Sequence, residues 1–252
     1  MTFADLYRKL SQLYPENLRE EWDNDGIMCA PNASRKVERA LIAVDVTDEV
    51  IEFAKENEFD TIISHHPLVF RPINALCESN YIQAKLIKLV KYDINVMSFH
   101  TRLDAAEGGV NDTLCDCIEL ENVEKDPQDP IGRIGDIYEE MTLEEFSQII
   151  STNLESPFVL YSGNKPVRRV YVVGGDGKDY VSRAIATGCD TLVTGRCSYN
   201  LSIDASDMGL NIVEAGHFYT ENPVCMSIAE DIQIIDSEIF TQVCNSNNIK
   251  FS

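Results

Sequence analysis

Phe59-Asp60-Thr61-Ile62-Ile63-Ser64-His65-His66-Pro67 is the stretch whose reading decides the fold. Its core is short, apolar and β-branched, and polar residues bound it, so it reads as a buried strand delivering two imidazoles at its C-terminal end. The chain has only 4 histidines, and two of them stand here side by side. Working outward, Ala40-Leu41-Ile42-Ala43-Val44-Asp45-Val46 reads as the preceding strand. Thr47 then caps a helix whose apolar face is Val50, Ile51, Phe53 and Ala54. Beyond the histidines, a helix around residues 82–90 leads to a third strand over 94–98, which delivers His100 and Asp104.

The flanks are read in the same way. Thr2-Phe3-Ala4-Asp5 resembles a capping box with Asp in the fourth place. It opens a helix with Phe3, Leu6, Tyr7, Leu10, Leu13 and Tyr14 on one face, closed by Pro15. Trp22-Asp23-Asn24-Asp25-Gly26 is turn-rich and holds the single tryptophan, expected to be a buried ring pinning a loop rather than a ligand platform. Asn111 is expected to cap a helix carrying Leu114 and Ile118, and Thr142 to open another. Residues 121–137, rich in Glu, Asp, Pro, Gln and Gly, are the only composition shift that resembles a linker.

Residues 40–64 lie on 170–194 at a constant offset of 130 without a gap. Phe59-Asp60-Thr61-Ile62-Ile63-Ser64 then falls on Cys189-Asp190-Thr191-Leu192-Val193-Thr194. The third strands match at an offset of 116, Ile94-Asn95-Val96-Met97 on Leu210-Asn211-Ile212-Val213, and one further residue of shift puts His100 on His217 and Asp104 on Glu221. The pattern points to an α/β fold of two similar α/β lobes arising by internal duplication. The expected lobes are residues 1–125 and 126–252, with the C-terminal segment in a position to pack back on the first. The copies differ where it matters: His65-His66 in the first corresponds to Gly195-Arg196 in the second. A site built from His65, His66, Asp104, His217 and Glu221 must therefore draw on both lobes. Each of these residues follows a strand, where α/β sheets place their ligands.

The bulk composition narrows the class. A net charge of −21 opposes a nucleic-acid surface, which needs Lys and Arg to neutralise phosphates. No apolar run approaches the length needed to span a bilayer, and no charged-then-apolar leader opens the chain, so a cytoplasmic protein is expected. The 8 cysteines are scattered without a CxxC pair and are expected to be reduced thiols.

Imidazole and carboxylate are the ligands that divalent transition metals favour. Three histidines and two carboxylates exceed what one tetrahedral catalytic ion needs. Shared between two ions, they leave open positions that can activate water and clamp the atoms of a hydrolysis. His100 fits as a further ligand, as a partner orienting one, or as a proton carrier. Gly174-Gly175-Asp176-Gly177 lacks the GxGxxG spacing and any Walker lysine, so a tight turn is expected there.

At these residues the chain resembles the NIF-three-like dinuclear-metal proteins, often named GTP cyclohydrolase I type 2 homologues. The motifs carrying the resemblance are Trp22-Asp23-Asn24, Leu41-Ile42-Ala43-Val44-Asp45-Val46-Thr47, Ser64-His65-His66-Pro67-Leu68-Val69-Phe70 and His100-Thr101-Arg102-Leu103-Asp104-Ala105. Gly108-Gly109-Val110-Asn111-Asp112, Gly132-Arg133-Ile134-Gly135 and Gly216-His217-Phe218-Tyr219-Thr220-Glu221 complete the set in order along nearly the whole chain. The resemblance implies two divalent metal ions per chain (Zn, Fe, Mn, Co or Ni) between two α/β lobes, and a ring-shaped homohexamer. By motif match the metal ligands are His65, His66, Asp104, His217 and Glu221, with His100 adjacent as the candidate proton shuttle. One departure is visible. Where many members carry an acid after the Thr-Gly of the second lobe, this chain has Arg196-Cys197-Ser198-Tyr199-Asn200.

Three functions remain open on this reading. One is a metal-dependent hydrolase resembling GTP cyclohydrolase I type 2, with water attacking C8 of the guanine of GTP and Arg71, Arg102 or Arg196 meeting phosphates. Another is a non-catalytic metal-binding assembly or regulatory protein. The third is hydrolysis of another small phosphoester.

Overall fold

The computed structural model describes residues 1–250. Its backbone contacts define two compact units, Met1–Leu103 with Cys225–Lys250, and Asp104–Val224. The first unit opens on α1 (Phe3–Leu13), where the Thr2 hydroxyl accepts the Asp5 backbone N–H at 3.2 Å and Phe3, Leu6 and Leu10 are buried. Four strands follow, β1 (Gly26–Cys29), β2 (Arg39–Ala43), β3 (Thr61–Ser64) and β4 (Asn95–Ser98), with α2 (Asp48–Glu56) after β2 and α3 (Tyr81–Tyr92) after β3. β2, β3 and β4 lie side by side and parallel, and β1 runs antiparallel on the outer side of β4. Leu41, Ile62 and Val96 of these strands pack with Val50, Ile51 and Ala54 of α2 and Leu86 and Leu89 of α3. Strands buried on both faces carry continuous apolar runs, which is why β2 and β3 read so plainly in the sequence.

The short α4 (Thr101–Ala105) leads into the second unit. There α5 (Val110–Cys117), β5 (Glu121–Asp126), β6 (Asp129–Met141), α6 (Leu143–Asn153), β7 (Leu160–Ser162) and β8 (Val167–Asp176) follow in turn. The chain then alternates through α7 (Val181–Ala186), β9 (Thr191–Arg196), α8 (Tyr199–Asp207), β10 (Asn211–Glu214) and α9 (His217–Glu221). The sheet order is β5-β6-β8-β9-β10-β7, with β8, β9 and β10 parallel. Finally α10 (Val224–Ile235) and β11 (Phe240–Val243) return to the first unit, where β11 extends its sheet parallel to β2.

Several expectations need correcting. The stretch 121–137 is no linker: it forms the β5–β6 hairpin, and β6 pairs on into β8 through Arg133↔Val172 and Gly135↔Val170. By backbone contacts the two units divide after Leu103, and residues 225–250 belong with the first. Asn111 does not cap α5, because Gly109 stands in that place. Its amide is buried instead, donating to the Asp104 and Ile131 carbonyls at 3.1 and 3.0 Å and accepting the Gly174 N–H at 2.7 Å. By contrast, Thr142 caps α6 with a complete capping box through Glu145.

The three parallel strands of each unit correspond closely. Ala40 pairs with Thr61 and Thr61 with Asn95 in the first; Val170 pairs with Thr191 and Thr191 with Asn211 in the second. The side-chain bonds that fix these strands recur too. Asp60 Oδ2 accepts the Glu38 and Arg39 N–H groups, and Asp190 Oδ2 accepts those of Arg168 and Arg169. Among the described residues no helix is long and apolar enough to cross a membrane, and no cysteine is in a disulfide.

Candidate metal centre

Strand ends present the histidines of the first unit. Past β3, the backbone N–H groups of His65 and His66 still donate to the Ala43 and Val44 carbonyls, at 3.2 and 2.9 Å, so both residues are held as rigidly as the strand itself. Pro67 has no N–H to continue the ladder, and the chain leaves the sheet there. Phe99 donates its N–H to the Ser64 carbonyl at 2.9 Å, which brings His100 beside the pair. One ring nitrogen from each of His65, His66 and His100 lies within 4.8 Å of the others. The ring centroids are 4.9 to 5.6 Å apart.

The other nitrogen of each ring is bound to oxygen. His65 Nδ1 is 3.0 Å from the Phe99 carbonyl, His66 Nδ1 is 2.8 Å from Asp45 Oδ1, and His100 Nδ1 is 2.8 Å from Asp23 Oδ1. Carbonyls and carboxylates only accept, so each Nδ1 carries the proton and each lone pair sits on Nε2. This is how metal-binding imidazoles are oriented and made more basic. The donor set therefore fits a divalent ion.

Two buried aspartates organise the His100 side of the cluster. Asp23 Oδ2 accepts the Thr101 N–H at 3.1 Å and its hydroxyl at 2.7 Å. Burial pushes the Asp23 carboxyl up, but the hydrogen bonds from His100 and Thr101 outweigh it and hold the group at about 2. Asp25 accepts the His100 backbone N–H at 3.0 Å and Arg102 Nε at 2.9 Å. Arg102 is thus fully buried, its guanidinium 4.5 Å from the Phe99 ring centroid, and cannot serve as the phosphate contact expected of it. Arg196 is exposed and bound to Asp176 at 3.1 Å, and Arg71 is exposed.

In the second unit, α9 carries His217 and Glu221 one turn apart, with His217 Nε2 3.1 Å from Glu221 Oε1. Glycines make room for this helix. The segment read as a tight turn is instead the end of β8: Gly175 adopts φ +67°, and its N–H donates to Thr220 Oγ1 at 3.1 Å. A Cβ on Gly175 would overlap Glu221 Oε1 and lie 3.3 Å from the His217 ring. A Cβ on Gly195 would lie 2.7 Å from His217 Cα. Gly195 is the counterpart of His65, so the second unit has no imidazole there because α9 occupies the space. Asp104 is half-buried on α4, with its carbonyl held by Asn111.

The structure thus gathers His65, His66 and His100 in one unit and pairs His217 with Glu221 in the other. Sequence reading missed Asp23 and Asp45, which fix two of the rings, and Gly175. Asp45 lies two residues past β2 and two before the Thr47 cap of α2, an acidic residue after an apolar run, a placement that marks it in retrospect.

Fold and donor set together define an α/β protein of two sheets whose strand ends carry an imidazole cluster and a His–carboxylate pair. Residues 1–249 match the Duf34/NIF3 (NGG1p interacting factor 3) family, and the chain belongs to it. It is 34% identical over 248 residues to a protein of Clostridium perfringens named GTP cyclohydrolase 1 type 2 homolog, covering 95% of this chain and 94% of the relative. A Clostridium acetobutylicum protein of the same name is 29% identical, covering 91% and 88%. Among solved structures, a Bacillus cereus protein related to NIF3 superposes with a TM-score of 0.92 at 23% identity, covering 100% of this chain and 99% of the other. A Staphylococcus aureus hypothetical protein does so at 0.91 and 25% identity, again covering 100% and 99%.

Proposed function

We propose that His65, His66, Asp104, His217 and Glu221 hold two divalent metal ions, and that the chain is a metal-dependent hydrolase acting on GTP. The observation that carries this reading is the trio of imidazoles with one ring nitrogen of each within 4.8 Å of the others, each with its Nδ1 committed to an oxygen. Bound ions would supply Lewis acidity and activate water for attack on C8 of guanine. His65 and His66 are preorganised by the Phe99 carbonyl and by Asp45, so binding would cost little side-chain entropy. His100 takes the role of proton carrier: Nε2 accepts the proton, and the Asp23 carboxylate on Nδ1 stabilises the imidazolium that forms.

The name shared by the relatives supports GTP as substrate. The family's description as an interacting factor favours a second reading, metal binding without turnover. Family resemblance also leads us to propose a cytoplasmic homohexamer.

Elemental analysis of purified protein, wild type beside His65→Ala, tests the centre. About two ions per chain in the wild type, lost in the variant, are expected; none in the wild type overturns it. Incubating metal-loaded protein with GTP then tests the reaction. Ring opening above the His65→Ala control supports the hydrolase, and its absence with metal retained supports the second reading.

A further inference from the structure

The single tryptophan does not pin its loop from inside. Trp22 is 61% exposed, and so is a large part of Phe70, at 43%. Their ring centroids are 6.1 Å apart, and both meet His100 edge to face with centroids at 6.3 Å. A continuous aromatic seam therefore runs from buried His65 through His100 to two rings open to solvent.

The backbone beneath these rings is fixed. Glu20 N–H donates to Thr101 Oγ1 at 3.0 Å, Asp23 and Asp25 bind the 100–102 segment, and the Asn24 amide donates to the Val69 carbonyl, tying the two ring-bearing loops together. An indole left outside while Asp23 and Asp25 of the same loop are buried is an apolar surface held open at a cost in hydration. Phe70 also lines, with the rest of residues 67–75 and with 80–83, a cavity of about 730 Å³, a volume suited to a ligand of nucleoside size.

We infer that Trp22 and Phe70 form a stacking platform for a planar heteroaromatic ring, a nucleobase, and so set which ligands reach the imidazole cluster. The inference rests on the metal-centre reading above and adds to it the residues that select the ligand. Stacking suits this surface because aromatic side chains grip the π-face of a base, whatever its hydrogen-bonding edge. The platform is continuous with His100, so a ring stacked there lies next to the imidazoles. Arg71, exposed beside Phe70, offers a positive charge at its edge.

Trp22 is also its own probe, since the chain has no other tryptophan. Full-length protein is titrated with guanosine, cytidine and ribose 5-phosphate while the Trp22 emission is followed. Saturable quenching by the two nucleosides but not by the ring-free sugar phosphate is expected. Phe70→Ala should weaken nucleoside binding roughly 5- to 150-fold, the effect of removing one aromatic partner from a stacked base. Metal content measured on the same Phe70→Ala sample should equal that of the wild type, so failure of the platform and failure of the metal centre read out separately. Equal quenching by ribose 5-phosphate, or no saturable change with either nucleoside, overturns the platform. An emission that tracks protein concentration and ignores nucleosides overturns it as well, because the rings would then be covered by a second copy of the chain.

Discussion

Replacing Asp23 with asparagine tests how the site is held. The carboxylate is fully buried and accepts four hydrogen bonds: from His100 Nδ1 and the Asn24 N–H, both at 2.8 Å, and from the Thr101 N–H and hydroxyl, at 3.1 and 2.7 Å. An amide of the same shape has one acceptor oxygen, so one group of these donors must face an NH₂. The carboxyl lies at about 2, against an ordinary value of 3.8. At about 1.4 kcal/mol for each pH unit of displacement, the charged form contributes on the order of 2 kcal/mol. Because the folded-state value is depressed, this contribution is complete above the unfolded value and disappears as pH falls through the folded one. Asp23→Asn should therefore unfold at lower urea concentration at about pH 7, by about 2 kcal/mol, and the gap should narrow by about pH 3. A gap that is pH-independent over this range would refute the assignment of the stabilisation to the charged carboxylate. Nitrogen chemical shifts of His100 supply an independent reading, since the wild-type ring must carry its proton on Nδ1.

Two other substitutions probe the second unit. Gly175→Ala should destabilise the protein by about 1–3 kcal/mol, because φ +67° and the close approach of Glu221 leave no room for a Cβ. Elemental analysis should also find less metal per chain; an unchanged content would argue against Glu221 as a ligand. Arg133→Met should cost roughly 3–5 kcal/mol in thermal or urea unfolding. Its buried guanidinium binds Asp112 and the carbonyls of Ala106, Pro130 and Ile131, stitching the β5–β6 hairpin to the segment ahead of α5. A loss under about 1 kcal/mol would show that this network is dispensable.

Legibility followed burial. β2, β3 and β4 were plain because parallel strands covered on both faces need unbroken apolar runs, and the caps at Thr47 and Thr142 were plain because capping is local chemistry. The hairpin at 121–141 was not: β5 is the edge strand and exposed along most of its length, so it carries polar residues where a core strand would carry apolar ones, and the buried run of the internal β6 is broken by Gly132, Arg133 and Gly135. Trp22 was misplaced for a related reason. Composition predicts that a lone tryptophan is buried, but a loop nailed down by Asp23 and Asp25 can hold an indole in solvent.

The sequence by itself determined the α/β class, the three-strand core of each unit with its matching offsets, and the residue types at the strand ends. Those properties depend on local periodicity and on which side chains can bind a metal. Tertiary structure decided what the strand ends become. It gave His65, His66 and His100 each an oxygen partner that places the lone pair on Nε2, and it set α9 against Gly175 and Gly195, where no side chain fits. The asymmetry between His65 in one unit and Gly195 in the other is thus a packing consequence, because contacts between residues far apart in sequence leave no trace in local pattern.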